Sequence, residues 1–388
     1  MKTSMKPILE ETERFDRSLL LNTLLLCAFG VTMVYSASSD KSMFKSQLFF
    51  WAIGMLVIIF IQYVRYDLIY YMAPVIYLAS MGCILLLKTG MGVSSNGATR
   101  WLKIGHMNFQ VCEIVKIGVI FMLAFLIQKF YKYRGKVSFT IFLWLVGGIP
   151  AYGLAEISND LGSALIVLII TFGITFVFTK TIRLHLTAVV LGISGISGIV
   201  YYLSRNMPSP EYLSQSSFRI GRIAVWLDPK RYISGQGYQT QQALYAIGHG
   251  GLTGSGLGNS VQKLGVIPEA QNDMIFSIIC EELGIFGAFT LLILFVCMLY
   301  YIYHISVRAE SILGSALVAG VFFHIASQTL VNICVNLNVI PNTGLTLPFI
   351  SHGGTSLFCF LAEIGMVMAI EKDHVIKHCR RMIRKRMG

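Results

Sequence analysis

The sequence predicts an all-α integral membrane protein in which ten transmembrane helices carry a large extracytoplasmic loop between the seventh and the eighth. Three observations lead there. Hydrophobic residues make up 55% of the chain and charged residues only 13%, far from the balance of a soluble globular protein. The apolar residues gather in runs long enough to cross a bilayer core, which takes about 20 residues of helix. One long polar stretch, Arg205 to Asn272, interrupts those runs. It holds Trp226, Tyr238 and spaced apolar residues rather than the low-hydrophobicity mixture of a disordered segment, so it is expected to fold and to carry function.

Taken in order, the candidate spans are 18–38, 47–64, 67–87, 111–129, 137–155, 161–179, 185–204, 284–305, 312–337 and 353–371. An even count puts both termini on one side. The positive-inside rule, applied to short loops, sets which side. With the N-terminus inside, the inner loops hold Arg65, then Lys129, Lys132, Arg134 and Lys136, then Lys180 and Arg183, then Arg308, and last a basic tail over 372–388. The outer loops 156–160 and 338–351 have no Lys or Arg; Lys41, Lys45, Arg100 and Lys103 are the outer exceptions. Both termini are therefore expected in the cytoplasm, and the 205–272 loop outside the cytoplasmic membrane. The net charge of +12 fits topology signals and anchors for anionic lipid, and no nucleic-acid partner is expected. No cleavable leader is expected. The eight cysteines are scattered without a CxxC pair and are expected as small core hydrophobes. Residues 1–388 read as a single polytopic domain without a linker or an evident inverted repeat.

Ionisable groups in spans are expensive, about 2.5–3.5 kcal/mol each at a helix centre on insertion scales, and so are functional candidates. Glu113 and Lys116 open the fourth span three residues apart, on one helical face, where they neutralise each other; an ion pair that fixes packing is the competing reading. Asp160 starts the sixth span, where a carboxylate also serves as an N-terminal cap. Asp273 closes the polar loop just before the apolar run Met274 to Cys280, which puts its carboxylate at the water–membrane boundary. Partial burial there raises a carboxylate's pKa and makes it a better base, and capping of the following helix is the alternative.

The run Gly248 to Gly258 matches neither a dinucleotide fingerprint nor a P-loop. Its glycines allow close approach of backbone N–H groups to phosphate or sugar, or else simply tight turns. Arg219, Arg222 and Lys263 bring positive charge into the same loop, suited to phosphate or left on a solvated surface. Between the ninth and tenth spans, Pro341, Pro348 and the nearby glycines exclude continuous helix, and broken backbone of this kind is tolerated where it lines a polar cavity. No His, Cys or Glu set has zinc-site spacing.

In this order and spacing, the motifs resemble the SEDS family (shape, elongation, division and sporulation), the FtsW and RodA type of peptidoglycan glycosyltransferase. The residues that carry the resemblance are Arg100-Trp-Leu-Lys-Ile-Gly105, Gln110, Glu113-x-x-Lys116, Asp160-Leu-Gly162, Arg219-x-x-Arg222, Leu227-Asp-Pro229, Gly237-Tyr-Gln239, Gly256-Leu-Gly-x-Ser260, Gln262-Lys263, Pro268-Glu-Ala, Asp273-x-Ile-Phe276, Glu281-Glu-Leu-Gly284, Gln328, Pro341-x-Thr-Gly344 and Leu347-Pro-Phe-x-Ser351-x-Gly-Gly354. The wording of Gly256 to Lys263 and of Pro268-Glu-Ala is closer to the division and sporulation branch. Departures from the family pattern are Val111-Cys112, Asn159, Gln271-Asn272 and His352.

The resemblance implies the SEDS fold and a polymerase that joins lipid II units, undecaprenyl-linked disaccharide peptides, into glycan strands on the outer face. It implies Asp273 as general base and Arg100, Glu113, Lys116, Asp160, Arg219, Arg222, Gln262, Lys263 and Ser351 as substrate-binding residues. It further implies a divalent cation, magnesium or manganese, whose ligands the sequence does not name, and no organic cofactor. The partners it implies are a class B penicillin-binding protein, membrane lipids and other division or elongation proteins. Two rival functions fit the same spans: a flippase moving lipid II across the membrane, and an inert scaffold for the division machinery.

Overall fold

The computed structural model describes residues 6–38, 41–95, 98–105, 107–209, 218–233, 237–263 and 267–387. Twelve α-helices lie among them: α1 (Lys6–Ala37), α2 (Lys41–Ile61), α3 (Leu68–Leu86), α4 (Val111–Lys129), α5 (Val137–Glu156), α6 (Leu161–Phe178), α7 (Ile182–Arg205), α8 (Phe218–Leu227), α9 (Tyr238–Gly250), α10 (Ile275–Arg308), α11 (Ile312–Asn336) and α12 (Gly354–Met387). Ten of these described helices, all but α8 and α9, are long and apolar enough to cross a membrane. The chain is a multi-pass membrane protein of the expected class.

The purely helical expectation needs one addition. Between α3 and α4 the chain forms a three-stranded antiparallel sheet in the order β1 (Gly92–Ser95), β2 (Ala98–Ile104), β3 (Met107–Gln110). Ser95 pairs with Ala98 across the dipeptide Asn96-Gly97, whose sequence is a two-residue hairpin signal. Counting over a window of span length averages such short alternation away.

Helices α4, α6, α11 and α12 are the inner ones, and α10 packs on α1 and α11. Helix α7 stands outermost, with His185 its one buried residue among those described. Loops after α1, α3, α5, α7 and α11 share one face. Cross-loop contacts tie them together there: Arg100 after α3 meets Asp160 after α5, and His352 N–H donates to the Gln271 carbonyl at 2.9 Å. On the opposite face, Lys180 N–H donates to the Arg134 carbonyl at 2.8 Å. Seven of the eight cysteines are free thiols; the side chain of Cys379 lies outside the described residues.

The expected eighth span began at 284, but helix α10 starts at Ile275. Its backbone breaks at Gly284, with φ 63° and ψ −163°. The Gly248–Gly258 run repairs that break. Ser255 and Gly256 N–H donate to the carbonyls of Glu281 and Glu282, both at 2.9 Å, and Ile285 N–H donates to the Gly251 carbonyl at 3.0 Å. The two backbones approach so closely that a Cβ on Gly250 would land on the Cys280 carbonyl, and one on Gly254 on the Glu282 carbonyl. These two glycines thus serve backbone packing, not a ligand's phosphates. The adjacent acids before the break are neutralised locally. Glu282 pairs with Lys263 at 2.7 Å; Glu281 accepts from Ser260 Oγ, from Val261 N–H at 3.1 Å and faces His249 Nδ1 at 3.3 Å.

Deep among α4, α11 and α12 lies a second charge cluster. Lys116 Nζ donates to Glu113 at 2.7 Å and to Gln328 Oε1 at 2.6 Å. His324 Nδ1 stands 2.9 Å from Glu363, and its Nε2 is 3.7 Å from Glu113. All five side chains are buried. Glu113 and Lys116 therefore neutralise each other as expected, within a network that fixes three helices against one another. This geometry gives the pair a packing role.

Two stability outcomes follow. Removing one member of a buried pair strands the other charge, so Lys116→Met should cost roughly 3–5 kcal/mol. The double substitution Glu113→Leu with Lys116→Met should recover most of that loss, read as thermal unfolding in detergent. Gly250→Ala should cost roughly 1–3 kcal/mol by overpacking against the Cys280 carbonyl. Gly148→Ala, in α5 with open space around its Cβ position, should be neutral or stabilise by up to about 1 kcal/mol.

Candidate active site

The loop-rich face brings two carboxylates and two guanidinium groups together. Asp273 stands one residue before the cap of α10: Met274 takes that position, and the first-turn N–H of Ser277 is met by Asn336 Oδ1 at 3.1 Å rather than by Asp273. The capping role open to Asp273 in the sequence is not adopted, and its carboxylate is left for other work. The side chain is half-buried and accepts one long hydrogen bond, 3.4 Å, from Gln239 Nε2. Burial pushes its pKa up from 3.8 to about 6; its own backbone N–H and the charges of Arg100 and Arg222 hold the rise in check, while Glu269 adds to it.

Arg222 comes from α8. That helix is tied to the α11–α12 loop by a reciprocal pair of bonds, Trp226 Nε1 to the Asn338 carbonyl at 3.1 Å and Asn338 Nδ2 to the Trp226 carbonyl at 3.3 Å. Burial and then the neighbouring Arg100 lower the Arg222 pKa, while Asp160 and Asp273 act in the opposite sense. A guanidinium stays charged under such a shift. Arg100 comes from β2 and reaches Asp160 at 3.3 Å. Asp160 does both things open to it in the sequence, since it also caps α6 by accepting from Ser163 N–H at 3.1 Å and Ser163 Oγ at 2.9 Å. Gly344, at φ 69°, lets the α11–α12 loop run beside both arginines: a Cβ there would lie 3.3 Å from Arg100 Nη1 and 3.8 Å from Arg222 Nη2.

Other expected substrate contacts are placed elsewhere. Lys263 is bound to Glu282 and to Ser36 Oγ at 3.2 Å. Its cation serves the clamp at the α10 break. Ser351 is a staple: its Oγ donates to the Asn272 carbonyl at 2.6 Å and accepts from Leu347 N–H at 2.7 Å. Gln262 keeps a buried Oε1 without a hydrogen-bond partner. Arg219 lies on α8, and its side chain falls outside the described residues.

The sequence reading missed Gln239 as a contact of Asp273, and it missed Asn332, Asn336, His324 and Glu363 altogether. A signal existed for these last four, because polar and ionisable side chains inside spans are candidates by the same rule that singled out Glu113. Asn332 and Asn336 are the ones that touch the site, donating to the Asp273 carbonyl at 2.8 and 2.9 Å. His352, a departure from the family pattern, has a half-buried ring and a pKa lowered by that burial. Among the described residues no group of three or more His, Cys, Asp or Glu is placed to hold a metal ion. Two carboxylates interleaved with two guanidinium groups suit an anionic ligand that is charge-paired at each step.

Comparison with known proteins points the same way. A family model described as cell cycle protein, FTSW_RODA_SPOVE, matches residues 17–375. Stage V sporulation protein E of Bacillus subtilis (strain 168) is 33% identical over 374 residues, covering 92% of this chain and 97% of that protein. The probable peptidoglycan glycosyltransferase FtsW of Thioalkalivibrio sp. (strain K90mix) is 34% identical over 376 residues, covering 92% of this chain and 90% of that protein. Among solved structures, a chain from a peptidoglycan synthase complex that coordinates polymerization and crosslinking superposes with a TM-score of 0.75 at 25% identity, over 92% of this chain and 97% of that one. The rod shape determining protein RodA of Thermus thermophilus gives a TM-score of 0.66 at 25% identity, over 92% of this chain and 96% of that one. Because the family model spans all ten membrane helices and the relatives align over nine tenths of the chain, the chain belongs to the FtsW, RodA and SpoVE family of cell cycle proteins.

Proposed function

We propose that the protein is a peptidoglycan glycosyltransferase that polymerises lipid II at the outer face of the bacterial cytoplasmic membrane, in division or sporulation. The observation that carries this reading is the half-buried Asp273 carboxylate, with a pKa raised to about 6, beside the Arg100 and Arg222 charges on one loop face. Asp273 takes the proton from the 4-hydroxyl of the acceptor sugar. That oxygen attacks the anomeric carbon of the donor from the face opposite the leaving group, so configuration inverts, and the bond from the anomeric carbon to undecaprenyl pyrophosphate breaks. Arg222 and Arg100 receive the charge that develops on the departing pyrophosphate, in a site where a preset cation is worth far more than in water. Asp160 keeps Arg100 in place.

A divalent cation enters this reading as a companion of the pyrophosphate, since magnesium usually binds through one or two carboxylates plus substrate phosphates. The charge distribution of the short loops supports cytoplasmic termini and an outward-facing site. The likeness to a chain in a synthase complex supports a class B penicillin-binding protein as the crosslinking partner. The buried cluster around Glu113, Lys116, His324 and Glu363 favours the flippase as the second reading, because transporters keep such groups at membrane depth.

Reconstitution with a class B penicillin-binding protein and fluorescent lipid II separates the two. Glycan polymer is expected from the wild type, and Asp273→Asn should lower its rate at least about 10²-fold. Translocation of lipid II that survives this substitution, with no polymer made by either form, would replace the enzyme by the flippase.

The raised pKa fixes the pH behaviour. The base works only when ionised, so the polymerisation rate should fall about tenfold per unit as pH drops below about 6. Its folded-state pKa lies above the unfolded value of 3.8, so the folded state holds the proton more tightly. The linked stabilisation is full below the unfolded pKa and is lost as pH rises through about 6. At neutral pH the ionised carboxylate is thus a burden, and Asp273→Asn should raise thermal stability by up to roughly 3 kcal/mol while it removes activity.

A further inference from the structure

Helix α11 carries His324, Gln328, Asn332 and Asn336, four residues apart and all buried. That spacing keeps them on one face of a helix that turns every 3.6 residues. The lower two belong to the charge cluster, and Gln328 Nε2 also reaches the Thr346 carbonyl at 3.2 Å. The upper two reach Asp273. Asn332 Nδ2 donates to two carbonyls at once, those of Asp273 and Leu345, each at 2.8 Å. Asn336 Nδ2 donates to the Asp273 carbonyl at 2.9 Å, and its Oδ1 accepts from Ser277 Oγ at 2.7 Å and from Ser277 N–H at 3.1 Å.

Leu345 follows Gly344, the residue lying against the Arg100 and Arg222 guanidinium groups. One carboxamide therefore bridges the backbone of the base and the loop that borders the cations. We propose that Asn332 is a positioning residue for glycosyl transfer: by holding the Asp273 and Leu345 carbonyls together it sets the spacing between the carboxylate and the two arginines, and Asn336 fixes the Asp273 peptide plane from the other side.

This rests on Asp273 being the base, and it asks more than that reading does. Two donors on one carbonyl leave the Asp273 peptide little freedom, so the Cα–Cβ bond has a set direction. Carboxylate placement then follows from α11, through two carboxamides buried beneath the site. A shift of about 1 Å in a reacting group costs on the order of 10²-fold in rate. The charged groups that act on Asp273 are Arg100 from β2, Arg222 from α8 and Glu269 from the preceding turn. Moving the carboxylate away from the arginines raises its pKa, which moves the acid limb of the rate profile upward.

The test uses the full chain with its crosslinking partner in liposomes and lipid II as probe, with kcat, KM and the acid limb measured for each variant. Asn332→Leu should lower kcat about 10²-fold, leave KM for lipid II within about threefold, and shift the acid limb up. Asn332→Ser, which keeps one donor, should fall between it and the wild type, and it carries the test should the leucine variant not fold. Gln328→Leu is the structural control: equally buried in the same helix, it holds Thr346 and Lys116 and not Asp273, so it should lower thermal stability without moving the acid limb.

The assignment is overturned if Asn332→Leu or Asn332→Ser folds and keeps wild-type kcat, or if the loss in the Asn332 variants comes with an unmoved acid limb and a stability drop matching Gln328→Leu. Loss of polymer in Asp273→Asn with full activity in the Asn332 variants rejects the positioning role alone. Full polymerisation by Asp273→Asn rejects the base, and with it this inference.

Discussion

Backbone carbonyls of the non-helical segments between helices are the constraint around which this protein is built. Such chain leaves its carbonyls and N–H groups without helical partners, and every one of them shielded from water must find another. Here buried carboxamides answer many of them. Asn332 and Asn336 take the Asp273 and Leu345 carbonyls, Gln328 takes Thr346, and Gln47 of α2 both donates to the Ser351 carbonyl and accepts from Gly353 N–H. An amide side chain suits the task because it donates and accepts without adding a charge that would itself need neutralising. The segments so held, 271–274 and 341–353, are the two that border the Asp273 cluster.

Charge is arranged by the same economy. Three groupings sit at three levels: Glu113, Lys116, His324 and Glu363 among the inner helices, Glu281 and Glu282 with Lys263 at the α10 break, and Asp160 and Asp273 with Arg100 and Arg222 at the loop face. In the first two, acids and bases meet at hydrogen-bond distance and lock elements together. In the third, Arg100 reaches Asp160 at 3.3 Å, while Asp273 accepts a long side-chain hydrogen bond from Gln239 and feels the charges of Arg100 and Arg222. Burial raises the pKa of Asp273, and the two arginine charges offset only part of that rise.

The glycine run shows how a strong sequence pattern misleads when its partner is not in view. Read alone, Gly248 to Gly258 suggests backbone amides open to an anion. In the structure Ser255 and Gly256 N–H are spent on the Glu281 and Glu282 carbonyls, and the absent side chains at 250 and 254 make room for that approach. The expected span began at Gly284, and the structure extends the helix back across the break to Ile275. That the residues before the break are also helical depends on Lys263 and Ser260 arriving from the loop.

By itself the sequence determined the ten spans, the polar loop between the seventh and eighth, the Glu113–Lys116 pair, the Asp160 cap and the carboxylate at position 273. Each is written in a short window: run length against the thickness of the bilayer, a three-residue helical spacing, an acid ahead of an apolar run. Only the tertiary structure decided which cation serves which acid, giving Lys263 to Glu282 and Arg100 to Asp160, and where the carboxamides of α11 point. Those choices join residues far apart in the chain, 304 positions for Gln47 and Ser351 and 59 for Asn332 and Asp273. They are settled by how helices pack and which polar groups that packing strands, and no local pattern of apolar and charged residues encodes that.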